Sequence, residues 1–472
     1  MARARRVVVA AGVFALAQIA IVLGGYADNG ALCDDAFYYF QIAKHAAHGA
    51  SFSFDGIYAT NGFHPLLAWL EVPVFAIFDS PWLPVHVVLC LLGLSTAATA
   101  YVLFRIGRTL GNERMGELAA LFFLLSPFAW IIPLRGCEGG LSVLCIALVI
   151  WQGARMRHLD LRGTLVLGGL VGLAGLARTE NVLLGAAMFA WLVARTRNPR
   201  VLLAFAASAA VTVSPWAVWN LVRFGTIVQV SGAAKVAFHL FHPLYKHRLY
   251  EMFAHAEQFV IGEEFMTRER TIVAVLVTCV LITTAIVIGG KRRPPTALFP
   301  VAILVVLHVL FYGYVQRSYF NWYVMPVVLG AALLQAERIA QARRGVVVAL
   351  LTAAAAQCVI TLALFAAHYP RWPHASEQRI AGQLALVDRL PADANIAGWN
   401  VGALGYFSTL RRPDITFFNL DCVVNNPLFA AWKRGAYTTW IRDHVDWLVE
   451  EPHGEIDLAA LARDGELWRV RR

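Results

Sequence analysis

The chain has 472 residues, of which 59% are apolar and only 15% are charged, and its formal net charge is +10. Soluble domains carry about 25% charged residues, and disordered chains combine few apolar residues with a high net charge, so both classes are excluded. A positive balance of this size is typical either of a nucleic-acid partner or of a membrane protein whose cations orient it. The positions of the cations along the chain distinguish these two alternatives.

Eleven apolar runs without internal Lys or Arg predict a polytopic α-helical membrane protein with about eleven transmembrane helices. Six segments that would face the cytoplasm hold three cations each, which is 18 of the 40 Lys and Arg residues. Cytoplasmic loops carry such an excess in membrane proteins, so the net charge is mainly an orientation signal and no nucleic-acid partner is predicted. The runs are 7–27, 83–104, 118–134, 139–154, 164–177, 182–194, 201–220, 271–289, 297–315, 322–335 and 345–367.

The charge pattern places the N-terminus in the cytoplasm and predicts a multi-pass protein of the plasma (inner) membrane. The first run has no convincing small-residue cleavage site before Asp28, so we expect an uncleaved first helix rather than a signal peptide. Residues 64–78 are also apolar, but a further span there would move every later Arg cluster outside. We therefore expect an interfacial or re-entrant helix over 64–78.

The composition changes after residue 367. Residues 368–472 hold 12 Lys and Arg against 13 Asp and Glu, and apolar runs of strand type alternate with stretches of helical spacing. This pattern predicts a small α/β domain, and the odd number of preceding spans places it on the extracytoplasmic side. Residues 1–367 then form the transmembrane domain. The predicted strands and helices of the small domain are 395–399, 415–419, 377–390 and 437–447, and the two outer loops are 28–82 and 221–270.

The predicted outer face collects the ionisable residues that need an explanation. Asp34 and Asp35 begin an aromatic helix directly at the membrane boundary, where a charge is costly unless it has a task. A simpler alternative is that they act as a helix cap and a first-turn charge. The other outward residues of interest are Asn61, His64, Arg135, Glu138, Arg178, Glu180, Lys235 and Arg317.

Each of these outward residues also has a simpler explanation. Arg178 lies two residues before Glu180, so the two can neutralise each other as a local ion pair. His64 can be a satisfied surface group, and Arg317 can extend to the membrane interface among the aromatic side chains that follow it. The histidines of the loop 221–270 fit no tetrahedral metal spacing, and a solvated amphipathic helix explains them.

An outward cavity that combined these carboxylates and cations would suit sugar transfer from a lipid-linked phosphate. Such a reaction needs a carboxylate base for the acceptor hydroxyl, cations for the departing phosphate, a membrane slot for the lipid and a soluble surface for the acceptor. A transporter is the alternative, but it normally shows internal symmetry and broken helices, and it has no need of a 105-residue outer domain. A structural or assembly protein is a third alternative.

Two stretches of the first outer loop resemble the GT-C superfamily of glycosyltransferases, which are polytopic enzymes that use polyprenyl-phosphate sugars. They are Asp34-Asp35-Ala36-Phe37-Tyr38-Tyr39 and Asn61-Gly62-Phe63-His64-Pro65. The tips at Arg135 and Arg178 and the segment Ser231 to Lys235 resemble the bacterial branch related to family 39 and to the mycobacterial arabinofuranosyltransferases. In the C-terminal domain, Asn419-Leu420-Asp421-Cys422 resembles an Asn-Leu-Asp-Gly segment of such relatives, with Cys422 at the glycine position.

The resemblance implies an inverting hexosyl or pentosyl transfer to a glycan, lipid or protein acceptor on the extracytoplasmic side. It implies that Asp34 or Asp35 is the catalytic general base. Asp34 is favoured because the first acid of the pair generally takes that role in this superfamily, and Asp35 would then position the acceptor or hold a cation. The implied reaction requires no cofactor, because Arg and Lys alone can stabilise a monophosphate leaving group. Relatives that transfer oligosaccharides use a divalent cation, and Asp34 and Asp35 would hold such a cation here. The expected phosphate contacts are Arg178, Lys235, His64, Arg135 and Arg317, and the expected substrate-contacting or orienting residues are Glu138, Glu180, Asn61 and Tyr38.

Overall fold

The structure is a computed structural model that describes residues 2–25, 31–237, 298–316, 321–368, 377, 380–449, 461–464 and 466–470. The predicted span 271–289, the cation cluster 291–293, the histidines from His239 to His255, and Arg317 lie outside these residues. Helices dominate the described residues up to 368, as the apolar runs predict, because a helix satisfies its backbone hydrogen bonds internally.

Eleven helices occur before residue 238 in the part of the chain that the structure describes. They are α1 (Ala2–Leu23), α2 (Asp34–Ala47), α3 (Pro65–Ile77), α4 (Leu83–Thr109), α5 (Glu113–Leu124), α6 (Pro127–Leu134), α7 (Gly139–Arg155), α8 (Leu161–Ala177), α9 (Val182–Arg195), α10 (Pro199–Phe224) and α11 (Val230–Ala237). The next three are α12 (Phe299–Leu310), α13 (Met325–Ile339) and α14 (Arg344–His368).

By length and composition, four of the described helices can cross a membrane, namely α1, α4, α10 and residues 344–363 of α14. The pair α5 and α6 adds a fifth candidate that is bent by 54°. The predicted span 118–134 thus corresponds to two helices with a bend between them and not to one continuous helix. Pro127 at the start of α6 disfavours a helical conformation at the preceding Ser126, whose backbone is extended (ψ 128°). The total number of spans stays a prediction.

The C-terminal residues form the predicted α/β domain. Its strands are β1 (Asn395–Gly398), β2 (Thr416–Asn419), β3 (Trp447–Leu448), β4 (Leu461–Asp464) and β5 (Leu467–Val470), and they form a sheet of order β2-β1-β3-β5-β4. Strands β1, β2 and β3 are parallel, whereas β5 is antiparallel to β3 and β4. The helices are α15 (Ala381–Val387), α16 (Gly402–Arg411), α17 (Asn426–Lys433) and α18 (Tyr437–His444).

The chain folds as two compact units that interleave along the sequence. The first comprises Met1–Gly24, Leu89–Trp216 and His242–Pro370, and the second comprises Gly25–Val88, Ala217–Phe241 and Arg371–Arg472. The first outer loop thus belongs to the same compact unit as the C-terminal α/β domain. The predicted division into 1–367 and 368–472 follows chain order and stays a prediction.

Aromatic packing joins α2 to the α/β domain within the second unit. Phe37 and Phe40 are fully buried, and their rings lie 5.4–6.3 Å from those of Tyr406 and Phe407 on α16. Burying a Phe side chain contributes roughly 1.5–3 kcal/mol relative to exposure, so this contact holds α2 firmly. Phe40 also meets Phe75 of α3 at 6.0 Å. The aromatic face of α2 is therefore the surface that fixes the direction in which the acid pair points.

Candidate active site

The two acids of the first outer loop have different surroundings. Asp34 is the first residue of α2, and its carboxylate accepts hydrogen bonds from the backbone N–H groups of Gly402 (2.7 Å) and Ala403 (2.8 Å). These N–H groups start α16 and have no partner within that helix, so Asp34 caps α16 and not its own helix. Burial raises the pKa of Asp34 well above its usual range, and the two N–H groups oppose that shift.

Asp35, the second carboxylate of the pair, is more accessible than Asp34. Its side chain is 30% exposed, and its Oδ2 lies 3.5 Å from the Nζ atom of Lys235 on α11. Lys235 is more enclosed, with 12% of its side chain exposed. The predicted association of the acid pair with Lys235 therefore exists in the structure, and it is made through Asp35.

Tyr38, one turn along α2, binds the ends of two parallel strands. Its hydroxyl accepts hydrogen bonds from the Val401 N–H (3.2 Å) after β1 and from Asn419 Nδ2 (2.9 Å) at the end of β2. It donates to Asp421 Oδ2 at 3.4 Å, and Asp421 also accepts from the backbone N–H of Asn400 at 3.2 Å. The residue-based prediction missed this use of Asn419 and Asp421, although the resemblance of their segment was a signal.

The turn after β2 keeps the conformation that a glycine would favour. Cys422, which stands at the glycine position of the related segment, is fully buried and has a φ of +64°. A left-handed conformation costs an ordinary residue roughly 1–2 kcal/mol. The surrounding contacts offset this strain, since Asp421 Oδ1 accepts from the Val423 N–H at 3.1 Å.

Asn61 is fully buried, and its side-chain amide is used within the protein. Its Nδ2 donates to Asn220 Oδ1 (2.6 Å) and to the Val228 carbonyl (3.2 Å). Its Oδ1 accepts from the Val230 N–H (3.0 Å) and from Asn426 Nδ2 (2.9 Å). An amide side chain offers two donors and two acceptor positions, so this set is complete. Asn61 therefore connects four segments of the second unit, which is an orienting arrangement.

His64 precedes α3 and is partly exposed. Its backbone N–H donates to the Tyr39 hydroxyl at 3.1 Å, and its ring Nδ1 lies 3.5 Å from Gln229 Nε2. Gln229 in turn donates to the Phe63 carbonyl at 2.7 Å. The structure thus brings His64 to the segment that leads into α11 and Lys235. Its role toward a phosphate stays a prediction.

Two glycines allow the first outer loop and the α/β domain to approach closely. A Cβ atom on Gly62 would lie 1.9 Å from the Val423 carbonyl oxygen, and one on Gly402 would lie 2.2 Å from the backbone oxygen of Asp34. Real Cβ contacts are never this short, so a larger residue at either position requires a backbone shift. The glycine in the Asn61-Gly62 motif therefore has a packing reason.

In the first compact unit, Arg178 is the centre of a buried ion network. It is 2% exposed, and its guanidinium pairs with Glu138 through Nη1 and with Glu180 through Nε. Nη2 lies 3.1 Å from the Tyr312 hydroxyl, and the guanidinium carbon lies 4.4 Å from the centre of the Tyr323 ring. Tyr312 also donates to Glu180 at 2.6 Å. The predicted local pair with Glu180 exists, and Glu138 is a second partner.

Arg135 is also buried, with 2% of its surface exposed, and it lies at the neighbouring tip between α6 and α7. Its guanidinium carbon is 5.4 Å from the centre of the Trp322 ring, which is a cation–π contact. Glu138 and Glu180, predicted to orient cations, both contact Arg178. The phosphate-binding roles of Arg135 and Arg178 stay predictions.

The resemblance allows a divalent cation at the acid pair. No group of three or more His, Cys, Asp or Glu residues in the described ranges is arranged to hold a metal. Each oxygen of Asp34 accepts one backbone N–H group, and Asp35 is the more accessible carboxylate of the pair. A divalent cation held by Asp34 and Asp35 stays a prediction.

Comparison with known proteins gives one family match and several similar folds. Residues 63–219 match the family described as dolichyl-phosphate-mannose-protein mannosyltransferase. ArnT from Cupriavidus metallidurans, solved with bound undecaprenyl phosphate, has a similar fold with a TM-score of 0.60, at 15% identity and over 97% of both chains. No curated protein sequence matches this chain significantly.

Oligosaccharyltransferases of Archaeoglobus fulgidus are also similar. AglB, solved with an inhibitory peptide and a dolichol-phosphate, has a TM-score of 0.54 at 12% identity, over 94% of this chain and 69% of that one. The apo oligosaccharyltransferase of the same organism has a TM-score of 0.53. At these identities the likeness shows the fold. Together with the family match, it confirms the resemblance that the outer-loop motifs indicate: the chain is a multi-pass membrane protein with the fold of the GT-C glycosyltransferases.

Proposed function

We propose that the protein is a membrane glycosyltransferase that moves a sugar from a polyprenyl-phosphate donor to an acceptor hydroxyl on the extracytoplasmic side, with inversion at the sugar carbon. The match of residues 63–219 to the family described as dolichyl-phosphate-mannose-protein mannosyltransferase carries this proposal. The similar fold of an enzyme solved with undecaprenyl phosphate supports the class of donor. The acid pair on α2, with its accessible carboxylate beside Lys235, supports base catalysis.

The contact between Asp35 and Lys235 suggests how the donor prepares the site. A phosphate group competes with a carboxylate for the same ammonium, because both are anionic acceptors. When the donor phosphate binds Lys235, the carboxylate is released toward the acceptor hydroxyl, and Lys235 neutralises the charge that develops on the departing phosphate. Lys235 is thus the main proposed phosphate contact of the second unit. Arg178, Arg135, Arg317 and His64 are further proposed contacts.

A transfer assay with a set of synthetic undecaprenyl-phosphate hexoses and pentoses tests the proposal, with cell-envelope fractions as the source of acceptor. We expect wild-type protein in nanodiscs to release undecaprenyl phosphate from at least one donor. We expect Lys235→Gln to raise the KM for that donor about 10- to 100-fold, because a hydrogen bond to a charged group contributes roughly 1.5–3 kcal/mol.

Lys433→Gln is the matched control, since Lys433 is exposed on α17. Its KM should equal that of the wild type. Substrate counterflow in proteoliposomes without any release of undecaprenyl phosphate would identify a transporter instead. Release that is unaffected by Lys235→Gln would leave the enzyme class in place but remove Lys235 from the phosphate site.

A further inference from the structure

We propose that the outer-loop residues 61–63 position the phosphate-binding lysine, with Asn61 acting as a positioning residue that holds the start of α11, the helix that carries Lys235. This inference rests on the proposed function, in which Lys235 binds the donor phosphate. It gives Asn61 a task that requires no contact with substrate. The hydrogen bonds of residues 61–63 and the packing of α11 carry it.

The first observation is that Asn61 binds the turn that leads into α11. Its Oδ1 accepts the backbone N–H of Val230, the first residue of α11, at 3.0 Å, and its Nδ2 donates to the Val228 carbonyl at 3.2 Å. The N–H groups of the first turn of a helix have no partner within that helix, so an acceptor from outside fixes where the helix begins. Two contacts that lie two residues apart also fix the direction in which α11 leaves the turn.

Gln229 provides a second attachment to the same loop. It lies between Val228 and Val230, is 8% exposed, and donates through Nε2 to the Phe63 carbonyl at 2.7 Å. Asn61 and Phe63 thus hold three consecutive residues directly at the start of α11. Three successive contacts remove the rotation that a single hydrogen bond would allow.

The apolar face of α11 packs against the α/β domain. Val230, Ala233, Ala234 and Ala237 recur at the helical spacing i, i+3, i+4 and i+7, and they contact the apolar core of that domain. Ala234 is fully buried, and α11 lies against α17. The distance between packed helices depends on the side chains at the contact, so a larger residue at position 234 would push α11 away.

Asn61 also binds the helix against which α11 packs. It exchanges two hydrogen bonds with Asn426, the first residue of α17: its backbone N–H donates to Asn426 Oδ1 (3.3 Å), and its Oδ1 accepts from Asn426 Nδ2 (2.9 Å). One residue therefore fixes the start of α11 relative to the start of α17.

The position of Lys235 follows from the position of α11. Lys235 is the neighbour of the buried Ala234, its Nζ lies 3.5 Å from Asp35 Oδ2, and 12% of its side chain is exposed. A lysine ammonium is a point charge on a flexible four-carbon stem, so its placement depends on the backbone that carries it. A displacement of about 1 Å caused by a change far from the reacting atoms can cost about 10²-fold in rate.

A double-mutant cycle tests whether Asn61 acts through Lys235. In full-length protein in nanodiscs, we expect Asn61→Ala to raise the KM for the undecaprenyl-phosphate sugar that the wild type uses about 10-fold, because the ammonium is displaced from the phosphate. The double variant should have the KM of Lys235→Gln alone, since moving α11 has no effect on an ammonium that is absent. Independent contributions would instead multiply.

Ala234→Leu is a second variant that moves α11 through packing and alters no hydrogen-bonding group, in case Asn61→Ala fails to fold. It should raise the donor KM as Asn61→Ala does, and it should add nothing to Lys235→Gln. Val236→Leu is the matched control, because Val236 is 43% exposed on the same helix. Its KM should equal that of the wild type.

Acetylation of lysine amines supplies a readout that does not depend on the reaction. With sulfo-NHS acetate and mass spectrometry, we expect the labelling rate of Lys235 to rise roughly 3- to 10-fold in Asn61→Ala and Ala234→Leu, because the enclosed amine becomes accessible. It should stay at the wild-type value in Val236→Leu. Lys44 on α2 is the internal reference: it is partly buried beside the Tyr406 ring, at 6.0 Å, and its rate should not change.

KM effects that multiply with that of Lys235→Gln would overturn this inference and leave the proposed function in place. Unchanged acetylation of Lys235 in both Asn61→Ala and Ala234→Leu would do the same, and so would an equal rise at Lys44, which would show a general loosening of the second unit. A wild-type chain that releases no polyprenyl phosphate from any donor overturns the proposed function. The acetylation rates would then still decide whether residues 61–63 hold α11.

Discussion

Burial decides what the individual polar residues do in this protein. Asp34, Asn61 and Arg178 are each less than one-tenth exposed, and each makes several contacts inside the protein. A buried polar group without partners is costly, so such residues act on the structure as well as on any substrate. Residue type alone marks these positions as unusual. Their partners come from segments up to 369 residues away, as with Asp34 and Ala403, so they cannot be read from the local sequence.

Removing the guanidinium of Arg178 should strongly destabilise the first compact unit. Arg178→Ala leaves Glu138 and Glu180 buried without their common cation, and breaking a buried pair in this way costs roughly 3–5 kcal/mol. We expect a large drop in the melting temperature, which thermal unfolding of the protein in detergent measures. A melting temperature within error of wild type would show that the network contributes little to the fold.

The exposed pair between Arg411 and Asp388 is the control for this measurement. Arg411→Ala removes a guanidinium that is 44% exposed, and surface pairs contribute about 0–1 kcal/mol. Only a small change in the melting temperature is expected. Equal effects of Arg178→Ala and Arg411→Ala would mean that burial is not the reason for the stability of the Arg178 network.

Apolar periodicity predicts the single helices well and their interruptions poorly. The expected helix over 64–78 is α3 (Pro65–Ile77), and the expected strands 395–399 and 415–419 are β1 and β2 to within one residue at each end. The bend between α5 and α6 and the π-helical segment Phe311–Gln316 after α12 were not predicted. Composition records how apolar a segment is, whereas a bend depends on local backbone conformation and on the neighbouring elements.

Gly62→Ala should disturb the packing between the first outer loop and the turn after β2. Its Cβ atom would overlap the Val423 carbonyl oxygen at 1.9 Å, and a forced backbone shift typically costs about 1–3 kcal/mol. We expect a lower melting temperature and faster hydrogen exchange in the residues that follow Asn61. Gly382→Ala on α15 is the matched control, because a Cβ atom there meets no described atom within 4 Å. If both variants melt alike, the contact is less restrictive than its geometry indicates.

At the scale of the whole molecule, the distribution of charge predicts the orientation of the chain in the membrane. The 18 cations in the six predicted cytoplasmic segments should keep those segments inside. Alkaline phosphatase fused after residue 472 should therefore be active, whereas the same reporter inserted after Arg157, between α7 and α8, should be inactive. Activity at Arg157 with none at the C-terminus would reverse the orientation and place Asp34 and Asp35 on the cytoplasmic side.

The sequence by itself determined the membrane class, the helical character of most runs, the small α/β domain and the resemblance to GT-C enzymes, because composition and periodicity are local properties. It also identified the acid pair as unusual. Only the tertiary structure decided that the first outer loop packs with the C-terminal domain, that Asp34 caps α16 while Asp35 stays accessible, and that Arg178 has two carboxylate partners. These arrangements join residues distant in the chain, and no local pattern records which buried polar groups will meet.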